Sequence, residues 1–132
     1  MTNQAFQLLA LAELVDTGAV LEGAFLALVI SDTSESRTLA LGDLTLATFT
    51  GSNPKEITSW GGPYIDQEGR VRVDGIQGTW VAGGTPSETV YGYAILNAGE
   101  TALLSYTRLP QPVPITAPSQ GLSITPSVAW GD

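Results

Sequence analysis

The sequence contains neither cysteine nor histidine among its 132 residues. Without cysteine, the chain can form no disulfide and no thiolate metal site. Without histidine, it lacks the commonest general base, the commonest metal ligand and the base of a Ser-His or Cys-His nucleophile pair. Its serine, tyrosine and Lys55 side chains have no visible activating partner. We therefore expect a protein that is not an enzyme and that holds no cofactor or metal.

Charged residues are scarce, at 14% of the chain, and basic residues are the scarcest. Five basic residues against thirteen acidic ones give a net charge of -8, which repels phosphate backbones and argues against nucleic acid as a partner. The low charged fraction also leaves less surface suited to water, which favours a protein that works in an assembly.

The sequence has no apolar run long enough to cross a membrane, and no Lys or Arg precedes Arg37. We therefore expect neither a membrane span nor a signal peptide. Residues 1–17 instead predict a short helix, because Asn3 can cap its start and Gly18 can end it. Its apolar residues, Phe6 and Leu9 among them, spread around the axis and predict burial on several sides.

Turn residues are plentiful, with 15 glycines and 8 prolines that divide the chain into short runs. This pattern predicts one mainly β domain over residues 1–132, an antiparallel β-sandwich or partly closed barrel with the short N-terminal helix. The apolar run at 20–31 predicts a central strand buried on both faces. Asp43 is predicted to cap a helical turn over residues 44–47, although residues 44–49 fit a strand equally well. Residues 66–69 predict a tight turn.

Residues 89–109 predict a β-hairpin that turns at residues 97–100, where Gly99 can adopt a left-handed backbone. A four-residue loop would impose these pairs: Leu96 with Thr101, Ile95 with Ala102, Tyr93 with Leu104, and Tyr91 with Tyr106. The tyrosines then share one bulky face, and the opposite face is small and apolar: Val90, Gly92, Ala94, Leu96 and Leu103. The first face would meet the core, and the second a further layer or a neighbouring subunit.

The C-terminal part is shaped by proline. Residues 110–121 predict an extended arm that runs over a surface, because each proline ring removes a donor that the middle of a sheet needs. Residues 122–132 predict an edge strand, in which Trp130 is placed to anchor an interface.

Three candidate sites each have a simpler structural interpretation. Asp66, Glu68 and Asp74 could hold Ca²⁺ or act as an acid/base pair, but the closing Glu of a calcium loop is absent and solvated turn carboxylates are commoner. Arg70 and Arg72 could bind an anion, but pairing with nearby acids is favoured. Four aromatic residues could line a sugar platform, although core packing is the stronger interpretation: Trp60, Tyr64, Trp80 and Trp130.

Several fold-determining residues occur together along most of the chain: 43–51 (DLTLATFTG), Ile57, Trp60, Pro63, Asp66, 90–93 (VYGY), Arg108, Pro112 and Val113. In this combination the chain resembles a family of small structural proteins of tailed phages and prophages. Ser52 departs from that family, which has Tyr after the Phe-Thr-Gly element. The resemblance implies a virion component, first a decoration (cement) protein on the capsid exterior and second a tail or fibre module able to bind glycans.

A cement protein buries area between capsid subunits, so the major capsid protein would be its partner. The resemblance, with the three-fold positions of icosahedral shells, implies a homotrimer. We expect nine residues at its interfaces: Phe6, Leu9, Val90, Leu96, Leu103, Pro110, Pro112, Pro114 and Trp130.

Overall fold

The structure, a computed structural model, describes residues 23–36 and 38–130, with the main chain alone at Trp130. The predicted helix at 1–17, with Phe6 and Leu9, lies outside these residues. The described part contains a 3₁₀-helix at Leu41–Asp43 and nine strands: β1 Phe25–Val29, β2 Lys55–Glu56, β3 Tyr64–Ile65, β4 Val71–Asp74, β5 Gly78–Val81, β6 Glu88–Leu96, β7 Leu103–Ile115, β8 Gly121–Ile124 and β9 Ser127–Trp130.

The strands form three antiparallel sheets, in the orders β2-β1-β6-β7, β3-β4-β9 and β5-β8. None of these sheets closes into a barrel within residues 23–36 and 38–130. The prediction of a mainly β, antiparallel fold is thereby confirmed, and the arrangement is that of a β-sandwich.

Strand β1 lies inside the largest sheet, between β2 and β6, as the apolar run at 20–31 predicts. Its side chains alternate between two apolar clusters. Leu26 and Leu28 point into the main core, which fills the space between the sheets, while Ala27 and Val29 point to a second cluster on the other face. The prediction of a strand buried on both faces is confirmed.

The second cluster is covered by the chain itself. Leu39, Leu41 and Leu46 pack over it, and Leu44 is buried in it. This explains why Asp43 does not cap a turn over 44–47, as we predicted. The helical turn ends at Asp43, whose Oδ2 accepts a hydrogen bond from the N–H of Ala40 at 2.9 Å. The chain is extended from Leu44 onward, and Leu44 is buried.

Strands β6 and β7 form the predicted hairpin, but the predicted register is wrong. The observed partners are Leu96 with Leu103, Ile95 with Ser105, and Tyr93 with Thr107. Asn97 causes the shift, because its Oδ1 accepts hydrogen bonds from the main-chain N–H of Thr101 at 2.8 Å and of Ala102 at 3.0 Å, which stabilises a loop over residues 97–102. The left-handed residue is Glu100, with φ 56°, and not Gly99.

An irregularity between β6 and β7 also changes which residues share a face. Val90 pairs with Val113 while Gly92 pairs with Arg108, so residues 109–112 of β7 lie opposite Tyr91 alone, and the alternation of side chains in β6 shifts at Tyr91. Val90 consequently joins Tyr93 in the main core instead of the second face, and Tyr91 is only half-buried. Both placements differ from the prediction, since a bulge leaves no mark in the apolar pattern.

Prolines define the end of the fold. Residues 110–115 are extended, as predicted, but they belong to the second half of β7. Residues 113–115 pair with β6, so this part is an edge strand of the sheet and not a separate arm. Proline is tolerated there because the outer side of an edge strand needs no donor. The single strand predicted at 122–132 is divided at Pro126 into β8 and β9, which are edge strands of different sheets.

Candidate functional site

The turn between β3 and β4 is held by one carboxylate. Asp66 Oδ1 accepts hydrogen bonds from the N–H groups of Glu68 and Arg70, both at 2.9 Å, and Gly69 provides the left-handed residue at φ 79°. The hydrogen bond from the Arg70 N–H, aided by Arg72, lowers the pKa of Asp66 in spite of some desolvation. The predicted tight turn is confirmed.

The two arginines of this turn pair with neighbouring acids. Arg70 contacts Asp66 through Nε at 3.3 Å and Glu68 through Nη2 at 2.6 Å. Arg72 contacts Asp66 through Nε at 3.1 Å, and its Nη1 donates to Ser127 Oγ at 2.7 Å, which connects β4 to β9. The interpretation of Arg70 and Arg72 as partners of nearby acids is therefore confirmed.

The third carboxylate of the candidate calcium site has a different partner. Asp74 Oδ2 accepts a hydrogen bond from the hydroxyl of Tyr64 at 2.9 Å, and this bond raises the pKa of Tyr64. Within residues 23–36 and 38–130, no three acidic side chains lie close enough to hold a metal ion. Asp66, Glu68 and Asp74 thus share a region of the surface without sharing a site.

The aromatic residues do not form a joint platform in the part of the chain that the structure describes. Trp80 is 1% exposed, and its Nε1 donates to the carbonyl of Asn53 at 2.9 Å. Trp60 packs half-buried against the main core, while the Trp130 side chain is outside the described atoms. Core packing is confirmed for Trp80 and Trp60. Tyr64 alone of the described three is exposed, beside a shallow groove of about 380 Å³ formed with Ile65, Asp66, Gln67, Glu68 and Arg72.

Three of the predicted interface residues are already buried by their own chain. Val90, Leu96 and Leu103 are 0%, 1% and 6% exposed. Their prediction as partner contacts is wrong, because the main core and the segment around Leu44 already cover them. Pro110, Pro112 and Pro114 are exposed along β7, as an attachment surface requires.

Sequence reasoning missed a polar cluster beside these prolines. The guanidinium of Arg108 donates through Nη1 to the carbonyl of Thr33 at 3.0 Å, pairs through Nη2 with Asp32, and lies 5.6 Å from the ring centre of Tyr91. The main-chain N–H of Arg108 donates to the carboxylate of Glu35 at 2.9 Å. Thr33 and Glu35 lie more than 70 positions from Arg108 along the chain, so no local pattern could have indicated the cluster.

Comparisons with known proteins add no relative: no protein-family model, no curated protein and no solved structure matches this chain. Among the described residues, no helix has the length and apolar character needed to span a membrane.

Proposed function

We propose that this protein is a non-enzymatic structural component of a phage virion, a decoration protein that lies on the capsid exterior and bridges subunits of the major capsid protein. The observation that carries the proposal is the exposed row of Pro110, Pro112 and Pro114 on a strand held in place by β6. We call this row the proline ridge.

The proline ridge suits attachment for a physical reason. Each proline has a fixed φ angle, and the pairing of Val113 with Val90 holds the ridge against the main sheet. A partner that covers it therefore orders little that is not already ordered, which reduces the entropic cost of binding. Resemblance to small phage structural proteins supports the same class of function.

The charged groups of the surface also support a structural role. Arg70 and Arg72 both pair with Asp66, and Arg108 donates a hydrogen bond to the loop at 32–36. Such groups stabilise turns and strands without any arrangement of a nucleophile beside a base. We further propose that the protein acts as a homotrimer at three-fold positions of the shell.

A tail or fibre module is the second candidate, favoured by the groove at Tyr64. An exposed tyrosine beside side chains fixed by ion pairs, here Asp66 and Arg72, has the composition of a weak saccharide site. In that case the ligand would contact Tyr64 and not the proline ridge.

One experiment separates the two candidates. Shells of the phage or prophage that encodes the chain are mixed with the purified protein, sedimented and imaged by electron microscopy. Gln111 lies on the proline ridge and Gln67 lines the Tyr64 groove, and both are exposed. We expect Gln111→Arg to reduce binding to the shell at least tenfold and Gln67→Arg to leave it unchanged.

Two results together would support the fibre module. The parent protein and both variants would fail to bind shells, and Gln67→Arg would abolish saccharide binding. A protein that binds neither shells nor saccharides would end both candidates.

A further inference from the structure

The outer half of β7 carries three exposed prolines on an edge strand. Leu109, Val113 and Ile115 point into the main core. The residues between them are all exposed: Pro110, Gln111, Pro112 and Pro114. With 13 residues β7 is the longest described strand, and it ends the four-stranded sheet.

In an antiparallel strand, alternate residues direct their N–H and C=O groups toward the neighbouring strand or away from it. Pro114 lies opposite Thr89 and has no N–H to give, so it is an outward position, while Val113 and Ile115 direct theirs toward β6. Between Arg108 and Val113 the register shifts, and residues 109–112 have no paired partner in β6. Pro110 and Pro112 lie in this unpaired stretch and, like Pro114, have no N–H to offer a further strand.

Arg108, at the start of this stretch, does have an outward N–H, but a side chain accepts a hydrogen bond from it. This N–H donates to the carboxylate of Glu35, which also shows directly that it points away from β6. The loop carrying Glu35 is fixed in place, because the carbonyl of Thr33 accepts hydrogen bonds from Arg108 Nη1 at 3.0 Å and from the hydroxyl of Tyr106 at 2.8 Å.

The far end of the edge is closed in a similar way. Gln120 Nε2 donates to the outward carbonyl of Pro114 at 2.7 Å, and Gln120 Oε1 accepts from the N–H of Thr116 at 3.0 Å. Side chains therefore cover both ends of the stretch whose middle is proline.

We propose that the edge of β7 between positions 108 and 114 is closed against strand addition, and that the strand it excludes is β7 of a second copy of this chain. A long open edge is a template for pairing, and two identical edges can pair antiparallel about a two-fold axis. The loop at 32–36 performs at Arg108 the function that proline performs at the other three positions. The inference stands on this geometry and does not depend on a role in a virion.

The test restores the four main-chain donors that the three prolines and Glu35 withhold. The opened variant combines Glu35→Ala, Pro110→Ser, Pro112→Ser and Pro114→Ser, and its weight-average mass is measured by sedimentation over a range of concentrations. We expect this mass to rise to at least twice that of the parent protein. A control with Pro63→Ser and Pro118→Ser, two exposed prolines outside β7, should keep the parent's mass. Retaining Pro112 in the opened variant should also return the mass to that of the parent.

A folded opened variant with the parent's mass at every concentration would overturn the proposal. If the opened variant does not fold, the rate of hydrogen exchange at the Arg108 amide tests whether Glu35 closes the edge. We expect exchange to be several-fold faster in Glu35→Ala than in the parent and intermediate in Glu35→Gln, which keeps an acceptor oxygen. Equal rates in all three proteins would mean that Glu35 does not guard the edge. Neither measurement uses shells, so failure here leaves the proposed capsid role in place.

Discussion

The hydroxyl oxygen of Tyr93 accepts a hydrogen bond from the main-chain N–H of Ser127 at 3.2 Å. This bond joins β6 of the four-stranded sheet to β9 of the three-stranded sheet, and the ring of Tyr93 lies in the main core between them. A single side chain thus contributes both packing and a polar link between two sheets.

Two substitutions at Tyr93 separate these contributions. Tyr93→Phe leaves the Ser127 N–H without its acceptor and should lower the free energy of unfolding by about 1 to 2 kcal/mol. Tyr93→Ala also creates a cavity and should cost about 3 to 5 kcal/mol. Urea denaturation measures both. Equal stability of Tyr93→Phe and the parent would show that the link contributes nothing.

Tyr91 should behave differently, although it is only two residues away. It is half-buried, and the Arg108 guanidinium lies over its ring. Tyr91→Ala should therefore cost about 1 kcal/mol, the scale of a partly exposed cation–π contact with some lost packing. A cost as large as that of Tyr93→Ala in the same urea series would place Tyr91 in the core after all.

The Glu88 carboxylate should make stability depend on pH. Its Oε2 accepts from the Thr48 hydroxyl at 2.6 Å, and its Oε1 accepts from the N–H groups of Thr48 at 2.8 Å and Phe49 at 2.9 Å. Burial alone would raise the pKa of Glu88, but these hydrogen bonds outweigh it and lower the pKa below its ordinary value of 4.5.

A lowered pKa means that the stabilisation is present above the ordinary value and is lost as pH falls through the lowered one. Glu88→Ala should cost about 1 to 3 kcal/mol at neutral pH. The difference from the parent should shrink as acid protonates the folded carboxylate. Thermal unfolding from neutral pH down to about pH 3 measures this, and a difference that stays constant throughout would exclude the carboxylate as its source.

Calcium should not stabilise the protein. Both oxygens of Asp66 are engaged by main-chain N–H groups or by the two arginines, and Asp74 is engaged by Tyr64. We expect the melting temperature to be the same with excess calcium and with a chelator. Asp66→Asn should lower it equally in both conditions. A clear rise with calcium that Asp66→Asn removes would mean that the ion displaces the arginines.

Two glycines provide a matched pair for testing backbone constraint. Gly51 has a φ of 93°, and a Cβ there would lie 2.3 Å from the carbonyl oxygen of Val81. Gly42 has no atom within 4 Å of the same position. Gly51→Ala should cost more than about 1 kcal/mol, whereas Gly42→Ala should change the free energy of unfolding by less than about 0.5 kcal/mol. Equal effects would contradict the described path of residues 48–52.

The fold could be predicted where the cause is local. The continuous apolar run indicates β1, and the charged turn at 66–69 brings its own hydrogen bonds. Register could not be predicted, because Asn97 selects a longer loop through side-chain bonds and a bulge at Tyr91 shifts the alternation. A one-residue slip exchanges the two faces of a strand, which is why Val90 was assigned to the wrong one.

The exposed edge of β7, with its prolines and Glu35, could be predicted only in part. The prolines are visible in the sequence, but their position beside Glu35 depends on how residues 32–36 return to β7. Likewise, Ile65 is 67% exposed although it is apolar, and only the turn that follows it explains why it lies beyond the core. Contacts between distant segments carry this information, and a single sequence does not contain it.

The division of the C-terminal segment at Pro126 also determines the order in which the fold can form. Strand β4 pairs with β9, and β5 pairs with β8. Each of the two smaller sheets is therefore completed only by residues near the end of the described chain. On a growing polypeptide, the β5-β8 sheet cannot form before Ile124 has been synthesised, and β9 cannot join β4 before Trp130 has been synthesised. Because such non-local pairings fold slowly, in milliseconds to seconds, the unfinished edges of β4 and β5 are the ones that a chaperone would need to protect.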